Sequence, residues 1–381
     1  MDFALSPEQQ AWHDNAVAYA RENLIDDILE RDERREFWRE GWKRCAEFGI
    51  QGLPVPTEYG GKGLGLPETI AAMEGLGYGC PDNGLIFAIN ASTWTNTIPI
   101  LRYGTDAQKK KYLPLLCDGT LVGANGASEV EAGSDIFSMQ TRATKTSDGW
   151  ILDGRKTWVT SGPVADLFVC YATTDPAKGV LGISAFIVPK DTPGFRVVRE
   201  IRKLGVRTVP MGELAFENCT LPPESLLGRE GRGAEVFNCS MEWERGAILA
   251  SALGTMKRQL ERCIKHAKGR KQFGKSIGKF QSVANKIVDM KLRLETCRPL
   301  VYKIGWLKAQ GRDATLDAAI AKLHVSECFV KNSLDAVQLF GAAGFVAENG
   351  IERDLRDSIG STIYSGTNEI QRNIIAQHLI R

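Results

Sequence analysis

The chain lacks several features that would announce a function. It has no Cys-x-x-Cys, and its nine cysteines (45, 80, 117, 170, 219, 239, 263, 297 and 328) are odd in number and scattered. That usage argues against a disulfide framework or a zinc finger and predicts reduced, mostly buried thiols. Only four histidines occur, at 13, 266, 324 and 378, with no ligand pair among them, so no metal centre is expected. Charge is almost balanced: 48 Lys and Arg against 46 Asp and Glu leave +2, too little to argue for nucleic acid or a membrane surface. No run approaches the ~20 apolar residues of a membrane span. The start, Met-Asp-Phe-Ala-Leu-Ser-Pro-Glu, has neither the basic nor the apolar region of a signal peptide. A cytoplasmic protein is therefore expected. No internal repeat or low-complexity linker is visible. No Gly-x-Gly-x-x-Gly sits between a strand and a helix, which removes a Rossmann dinucleotide domain.

What is present divides by periodicity. With 381 residues, 43% of them hydrophobic, two or three packed units are expected. Residues 1–118 read as an N-terminal helical domain: Ser6-Pro7-Glu8 resembles a helix start, and Ala16, Tyr19, Ala20 and Leu24 keep helical spacing. Gly60 to Gly65, with Pro67, interrupts it as a loop. In 119–232 the period changes to two, which predicts a small antiparallel β-barrel or sandwich. There, 150–152 and 156–159 flank Asp153-Gly154, the pattern of a hairpin with a tight turn. Further strands are expected at 167–171, 183–188, 195–201 and 213–216. From 233 to 381 the helical period returns, with runs at 236–266, 281–310, 315–340 and a tail from Asn368, enough for a C-terminal helical bundle. The expected class is α+β.

Gly269-Arg270-Lys271-Gln272-Phe273-Gly274-Lys275-Ser276 matches the phosphate-loop pattern letter for letter. That loop works only when a strand feeds it and a helix leaves it, so that backbone N–H groups converge on phosphate. A long helical run precedes it here, so a helix–helix connection is expected instead.

The segment Gly126-Ala127-Ser128-Glu129-Val130-Glu131-Ala132-Gly133-Ser134-Asp135 is crowded with small residues, hydroxyls and backbone donors. Alone it reads as an inter-strand loop. It resembles the first signature of the acyl-CoA dehydrogenase family, and Tyr364-Ser365-Gly366-Thr367-Asn368-Glu369-Ile370-Gln371-Arg372 resembles the second. Between them Trp158-Val159-Thr160, Arg270-Lys271-Gln272-Phe273-Gly274, Phe280-Gln281 and Gln338-Leu339-Phe340-Gly341 each resemble a flavin-contact segment, in the family's order. The likeness spans the whole chain, and helix–β–helix is that family's fold, closed by a four-helix bundle.

This resemblance implies FAD as cofactor. It sets Asn125, Ala127, Ser128, Gly133 and Ser134 along the flavin, with Ser134 also near substrate, and Trp158 and Thr160 over the isoalloxazine. It sets Arg270, Phe273, Gln281, Gln338 and Gly341 on the FAD of a neighbouring subunit, and Thr367 and Glu369 on the diphosphate and adenosine side. A site shared between chains implies a homo-oligomer, and the resemblance makes it a homotetramer, the usual state in this family. Taken singly, Trp158, Phe273 and Gln338 read equally well as core packing.

Many family members carry the catalytic glutamate in the second signature, where this chain has Ser365. A serine hydroxyl does not take an α-proton at neutral pH unaided. Isovaleryl- and long-chain-type members place their base just before an arginine on an earlier helix, and Glu244, before Arg245, matches that position. Position 244 is three after Met241, four before Ile248 and seven after Phe237, so it shares an apolar face. A carboxylate there is costly unless paired or functional, and burial raises its pKa toward that of a working base. An ion pair with a facing helix is the alternative; Glu242 points elsewhere. The resemblance assigns the Ser365 backbone N–H to polarising the thioester carbonyl, a donor worth ~3–4 kcal/mol in such sites. Arg245 would orient the thioester arm or form a structural ion pair.

Within the family, the run from Gln272 to Val283 and on through Asp289-Met290-Lys291-Leu292-Arg293-Leu294-Glu295 resembles the prolyl-carrier-protein dehydrogenases and oxidases of natural-product pathways, the anatoxin type among them. The implied substrate is L-proline held as a thioester on the phosphopantetheine of a carrier protein, oxidised to a pyrroline- or pyrrole-carboxyl thioester. Oxygen or an electron-transfer flavoprotein would reoxidise the FAD. An acidic carrier would meet basic residues, and Arg258, Arg262, Lys265, Lys268, Arg270 and Lys271 are a candidate patch, though the cluster reads first as a solvated helix face. Three alternatives stand beside this reading: a short- or branched-chain acyl-CoA dehydrogenase using a CoA thioester, a flavin monooxygenase on the same fold, and an inert helical interaction protein.

Overall fold

A computed structural model describes residues 4–380. Seven helices come first: α1 (Pro7–Asn23), α2 (Ile28–Arg34), α3 (Arg39–Phe48), α4 (Leu66–Gly79), α5 (Asn83–Ser92), α6 (Ile98–Tyr103) and α7 (Asp106–Cys117). The start expected at Ser6 is a capping box: its hydroxyl accepts from the Gln9 N–H, and the Gln9 side chain reaches back to the Ser6 N–H. Between α5 and α6 the chain widens into a π-helical turn, Thr93–Thr97, a distortion common at functional sites.

The strands are β1 (Gly123–Gly126), β2 (Arg142–Thr146), β3 (Gly149–Thr160), β4 (Leu167–Thr173), β5 (Ile183–Pro189), β6 (Phe195–Glu200), β7 (Met211–Leu221) and β8 (Leu226–Leu227). They pair in the order β6-β7-β3-β2-β4-β5-β8, with β1 added parallel to β4. Trp150 on β3 packs edge-on against Phe186 on β5, and Phe168 on β4 against Phe195 on β6. These strands are not neighbours, so the sheet curls over its own apolar interior, as a barrel does.

One expectation fails here. Asp153-Gly154 is not a hairpin turn but a bulge inside the single long strand β3, where the register against β7 shifts between Leu152 and Gly154. The Asp153 carboxylate accepts from the Asn218 N–H at 2.7 Å across the bulge. The turn lies one step earlier, where Thr146 of β2 faces Gly149 of β3. An Asp-Gly pair suits a bulge as well as a turn, because both need a residue free of a Cβ.

The third unit comprises α8 (Gly233–Ala247), α9 (Ala250–Gly269), α10 (Gln281–Ala309), α11 (Thr315–Phe340), α12 (Ala342–Phe345), α13 (Ile351–Gly360) and α14 (Asn368–Ile380). The run expected at 236–266 is two helices, broken where Leu249 leaves helical geometry (φ −91°, ψ 3°). No proline marks the break, and Ile248, Leu249 and Ala250 are all buried, so packing overrides the continuous helical pattern. The phosphate-loop look-alike is a hairpin of β9 (Lys271–Gln272) and β10 (Lys275–Ser276) with Phe273 and Gly274 at positive φ in its turn.

α9 is pressed against α4 at backbone distance. A Cβ on Gly77 would meet the Ser251 carbonyl oxygen at 2.0 Å, and one on Gly254 the Glu74 oxygen at 2.0 Å. Glu74 also accepts from Tyr302 Oη of α10 at 2.9 Å and pairs with Arg298. One buried apolar cluster runs through all three units. Every cysteine is free, and all but Cys239 are buried. No helix among the described residues is long and apolar enough to cross a membrane.

Candidate active site

Glu244 lies on the face of α8 that its spacing predicts, with Met241 and Ile248, and is only 6% exposed. No ion pair closes on it among the described residues; Glu242, by contrast, is paired with Lys308 of α10. Burial pushes the Glu244 carboxyl up from 4.5 to about 7, against the opposing pull of the Ser365 hydroxyl, Arg245 and Lys322. A carboxyl poised there exchanges protons near neutral pH.

The opposing wall is the turn before α14. Ser365 sits in left-handed geometry (φ 58°), followed by Gly366 at φ 85°. Arg245 Nε donates to the Ser365 carbonyl at 3.0 Å, and Gln371 Nε2 donates to the Ser365 and Gly366 carbonyls at 3.1 and 2.9 Å. With its carbonyl clamped, Ser365 leaves its N–H donating to no group among the described residues. Arg245 is thus a loop clamp rather than an ion-pair partner.

Aromatic rings close the surroundings: Phe87 lies 4.6 Å from Tyr364, and Trp94 of the π-turn stacks on Trp243 at 6.3 Å. Past Ile248, one turn beyond Glu244, Phe87, Tyr364 and Asp357 narrow the interior to a cavity of about 30 Å³, room for one water.

The loop after β1 carries the first signature. Asn125 is half-buried and its Oδ1 has no partner. Ala127 is buried, and the Ser128 carbonyl accepts from the Thr157 N–H at 2.9 Å. Gly133 and Ser134 are exposed. On β3, Trp158 holds φ 55° and is 48% exposed, and Thr160 is half-buried. An uncovered indole, a buried amide oxygen without a donor and a free main-chain N–H are what a planar, hydrogen-bonding group would cover. These residues fit FAD. Thr367 and Glu369 stand at the head of α14, where helix N–H groups favour an anion.

Arg270, Phe273, Gln281, Gln338 and Gly341 form a separate group, all exposed, Phe273 at 92%. They occupy the ends of α9 and α11, the turn of the β9–β10 hairpin and the start of α10, and His266 of α9 stacks on Phe340 of α11 at 4.2 Å. No hydrogen bond or ion pair joins them to Glu244 among the described residues. The basic cluster is partly spent: Arg258 donates to the Gly77 and Cys80 carbonyls, and Arg262 to that of Asn349.

Sequence reasoning missed Lys322. It is fully buried on α11, and its ammonium donates to Asn368 Oδ1 at 3.0 Å. Burial, then Arg245, pull its pKa from 10.5 down to about 7, while Glu244 and Glu369 resist. The signal was present: Ala318, Lys322, Val325 and Phe329 share one helical face, an apolar stripe with a lysine in it. Below pH 7 the folded chain must charge this amine, at a cost on the order of 5 kcal/mol from the size of the shift. That cost is fully present below the folded value and vanishes as pH rises toward 10.5. Lys322→Met is therefore expected to stabilise the protein by ~1–3 kcal/mol at pH 6, after loss of the Asn368 bond, and to do little at pH 10. Calorimetry at the two values checks this; destabilisation at pH 6 would contradict it.

Family models for acyl-CoA dehydrogenases match in three pieces: the N-terminal domain over residues 6–120, the middle domain over 124–219 and the C-terminal domain over 231–380. The L-prolyl-[peptidyl-carrier protein] dehydrogenase of a Serratia species is 43% identical over 379 residues, covering 100% of this chain and 98% of its own. The crystal structure of the prolyl acyl carrier protein oxidase AnaB superposes with a TM-score of 0.97 at 48% identity, covering 99% of this chain and 100% of that one. A structure of PigA with FAD and proline gives 0.97 at 42% identity, covering 100% and 99%.

Proposed function

This chain belongs to the acyl-CoA dehydrogenase family, and from that premise we propose that it is a FAD-dependent dehydrogenase of L-prolyl thioesters on a carrier protein. The observation that carries the reading is Glu244, a buried carboxyl with no ion-pair partner, held near neutrality beside a clamped turn. Relatives named for prolyl-carrier-protein oxidation, 43% and 48% identical over nearly the whole chain, supply the substrate class.

In this reading FAD, when bound, supplies the acceptor for a hydride from the β-carbon. Glu244 takes the α-proton, which the thioester carbonyl has acidified. The free Ser365 N–H donates to that carbonyl's oxygen, stabilising the negative charge that grows on it. Arg245 and Gln371 fix the turn so that this donor does not have to reorganise. Asn125, Ala127, Ser128, Gly133, Ser134, Trp158, Thr160, Thr367 and Glu369 hold the cofactor in the same chain. Arg270, Phe273, Gln281, Gln338 and Gly341 meet the cofactor of a second subunit, and the exposed apolar Val288, Leu292 and Leu334 on α10 and α11 suit a homotetramer.

Mass spectrometry of the carrier-bound product tests the proposal. Incubation with prolyl-carrier protein is expected to remove two or four hydrogens from the prolyl group. An unchanged prolyl group, with flavin bleaching by butyryl- or isovaleryl-CoA instead, would move the assignment to a CoA-thioester substrate.

A further inference from the structure

Away from Glu244, three soft ligand atoms meet between α10 and α11. His324 and Cys328 are one turn apart on α11, hence on one face, with Cys328 Sγ 3.6 Å from His324 Nε2. Cys297 faces them from α10, and the three ligand atoms all lie within 4.8 Å of one another. Both cysteines are buried and the histidine is half-buried. The helices carrying them are held in register by nearby bonds: Arg293 Nη1 donates to Asn332 Oδ1 at 3.1 Å and to Asp335 Oδ2 at 2.7 Å. The Thr296 hydroxyl lies 3.3 Å from His324 Nε2, on the half-exposed side. No other such group of three His, Cys, Asp or Glu ligands occurs among the described residues.

We propose that Cys297, His324 and Cys328 form a binding site for a thiophilic closed-shell divalent cation, Zn²⁺ in the first instance. Two sulfurs and an imidazole make three corners of a tetrahedron, and zinc takes this ligand set readily. Binding exchanges the cation for the two thiol protons, which pass to solvent; nothing is oxidised or reduced. The two negative charges of the thiolates match those of the cation, so the buried site acquires no net charge. The fourth corner opens toward the half-exposed histidine and is free for water or a donor from another molecule.

The sequence hides the site because only His324-x-x-x-Cys328 is local; the third ligand comes from another helix.

The flavin-loaded protein, stripped with chelator and desalted, would be titrated with ZnCl₂ against a chromophoric chelator, and bound metal counted by elemental analysis. Uptake of one Zn²⁺ per chain is expected, weakened more than ~100-fold in Cys297→Ser, Cys328→Ser and His324→Ala, and unaltered in Cys239→Ser. Co²⁺ in place of Zn²⁺ should give tetrahedral bands in the red, clear of the flavin absorption, which disappear in the same three variants. His324→Ala removes a partly exposed side chain and is the decisive variant should a buried cysteine change impair folding, which flavin content and circular dichroism would reveal. No uptake by the parent protein, or equal uptake by His324→Ala, overturns the proposal. None of these readouts depends on the dehydrogenase reading.

Discussion

Replacing Glu244 with Gln is expected to slow substrate-dependent flavin reduction by about 10²–10⁴-fold, the range over which positioned bases act, while FAD content stays at the parental level. Rapid mixing under anaerobic conditions measures the step directly. The base must be ionised, so the parental rate should climb through about pH 7 and level above it; the residual rate of the variant should show no such limb. Stability should move the other way. Glu244 titrates near 4.5 when unfolded and near 7 when folded, so the folded state resists its charged form. The resulting cost, on the order of 3 kcal/mol, is absent below pH 4.5 and complete above pH 7. Glu244→Gln should therefore raise Tm at pH 8 and leave it unchanged at pH 4. A residue kept for stability would lose both rate and Tm. Retention of parental turnover would remove Glu244 from the mechanism and favour a chemistry, such as oxygen insertion, that needs no such base.

Glu129→Ala is expected to destabilise the protein by about 3–5 kcal/mol and to empty it of FAD. Lys156 has no solvent exposure and pairs with Glu129 at 2.8 Å, giving a further bond to the Ala127 carbonyl at 3.1 Å. Glu129 also accepts from the main-chain N–H groups of Gln140 and Thr141 at 2.6 and 2.9 Å, so the signature loop is moored to β3 through Lys156 and to the segment leading into β2. Truncating the acid leaves a lysine charged in the interior and frees that loop. Burial alone would raise the Glu129 carboxyl, but Lys156 together with the bonds from Thr141 and Gln140 outweighs it and holds the group below 4.5. The pair's contribution is present above 4.5 and fades as pH falls through the lowered value, so parent and variant should converge in acid. Joint replacement by Glu129→Met and Lys156→Met should recover part of the loss, since no unpaired charge remains. A single-variant Tm equal to the parent's would show the pair to be worth nothing.

What could be read without coordinates depended on whether the signal was local. The helix–β–helix order and the orientation of Glu244 follow from periodicity, because side-chain spacing alone decides which face is apolar. The Asp153-Gly154 bulge was misread because the same two residues serve a turn, and only the pairing of β3 with β7 distinguishes the cases. The break at Leu249 left no trace in composition, being set by packing on every side. Lys156 and Lys322 were overlooked since a lysine is assumed to face water. For Lys322 the surrounding stripe of alanine, valine and phenylalanine argued otherwise, whereas Lys156 sits among Arg155, Thr157 and Trp158 with no such cue. The turn at Ser365 was legible only as a motif; its handedness, and the two side chains that hold its carbonyl, belong to three dimensions.

The backbone contact between Gly77 and Gly254 carries a mechanical meaning. Two helices touching main chain to main chain, with Glu74 bolted to the next helix along, leave no layer of side chains that can repack as one unit slides past the other. The helical units that precede and follow the sheet in sequence are thereby joined along a seam without intervening side chains, which disfavours a hinge between them as the way to admit a tethered substrate. Whatever opens must be small: the loop beyond β1, the aromatic rings at the mouth, or the turn that precedes the final helix.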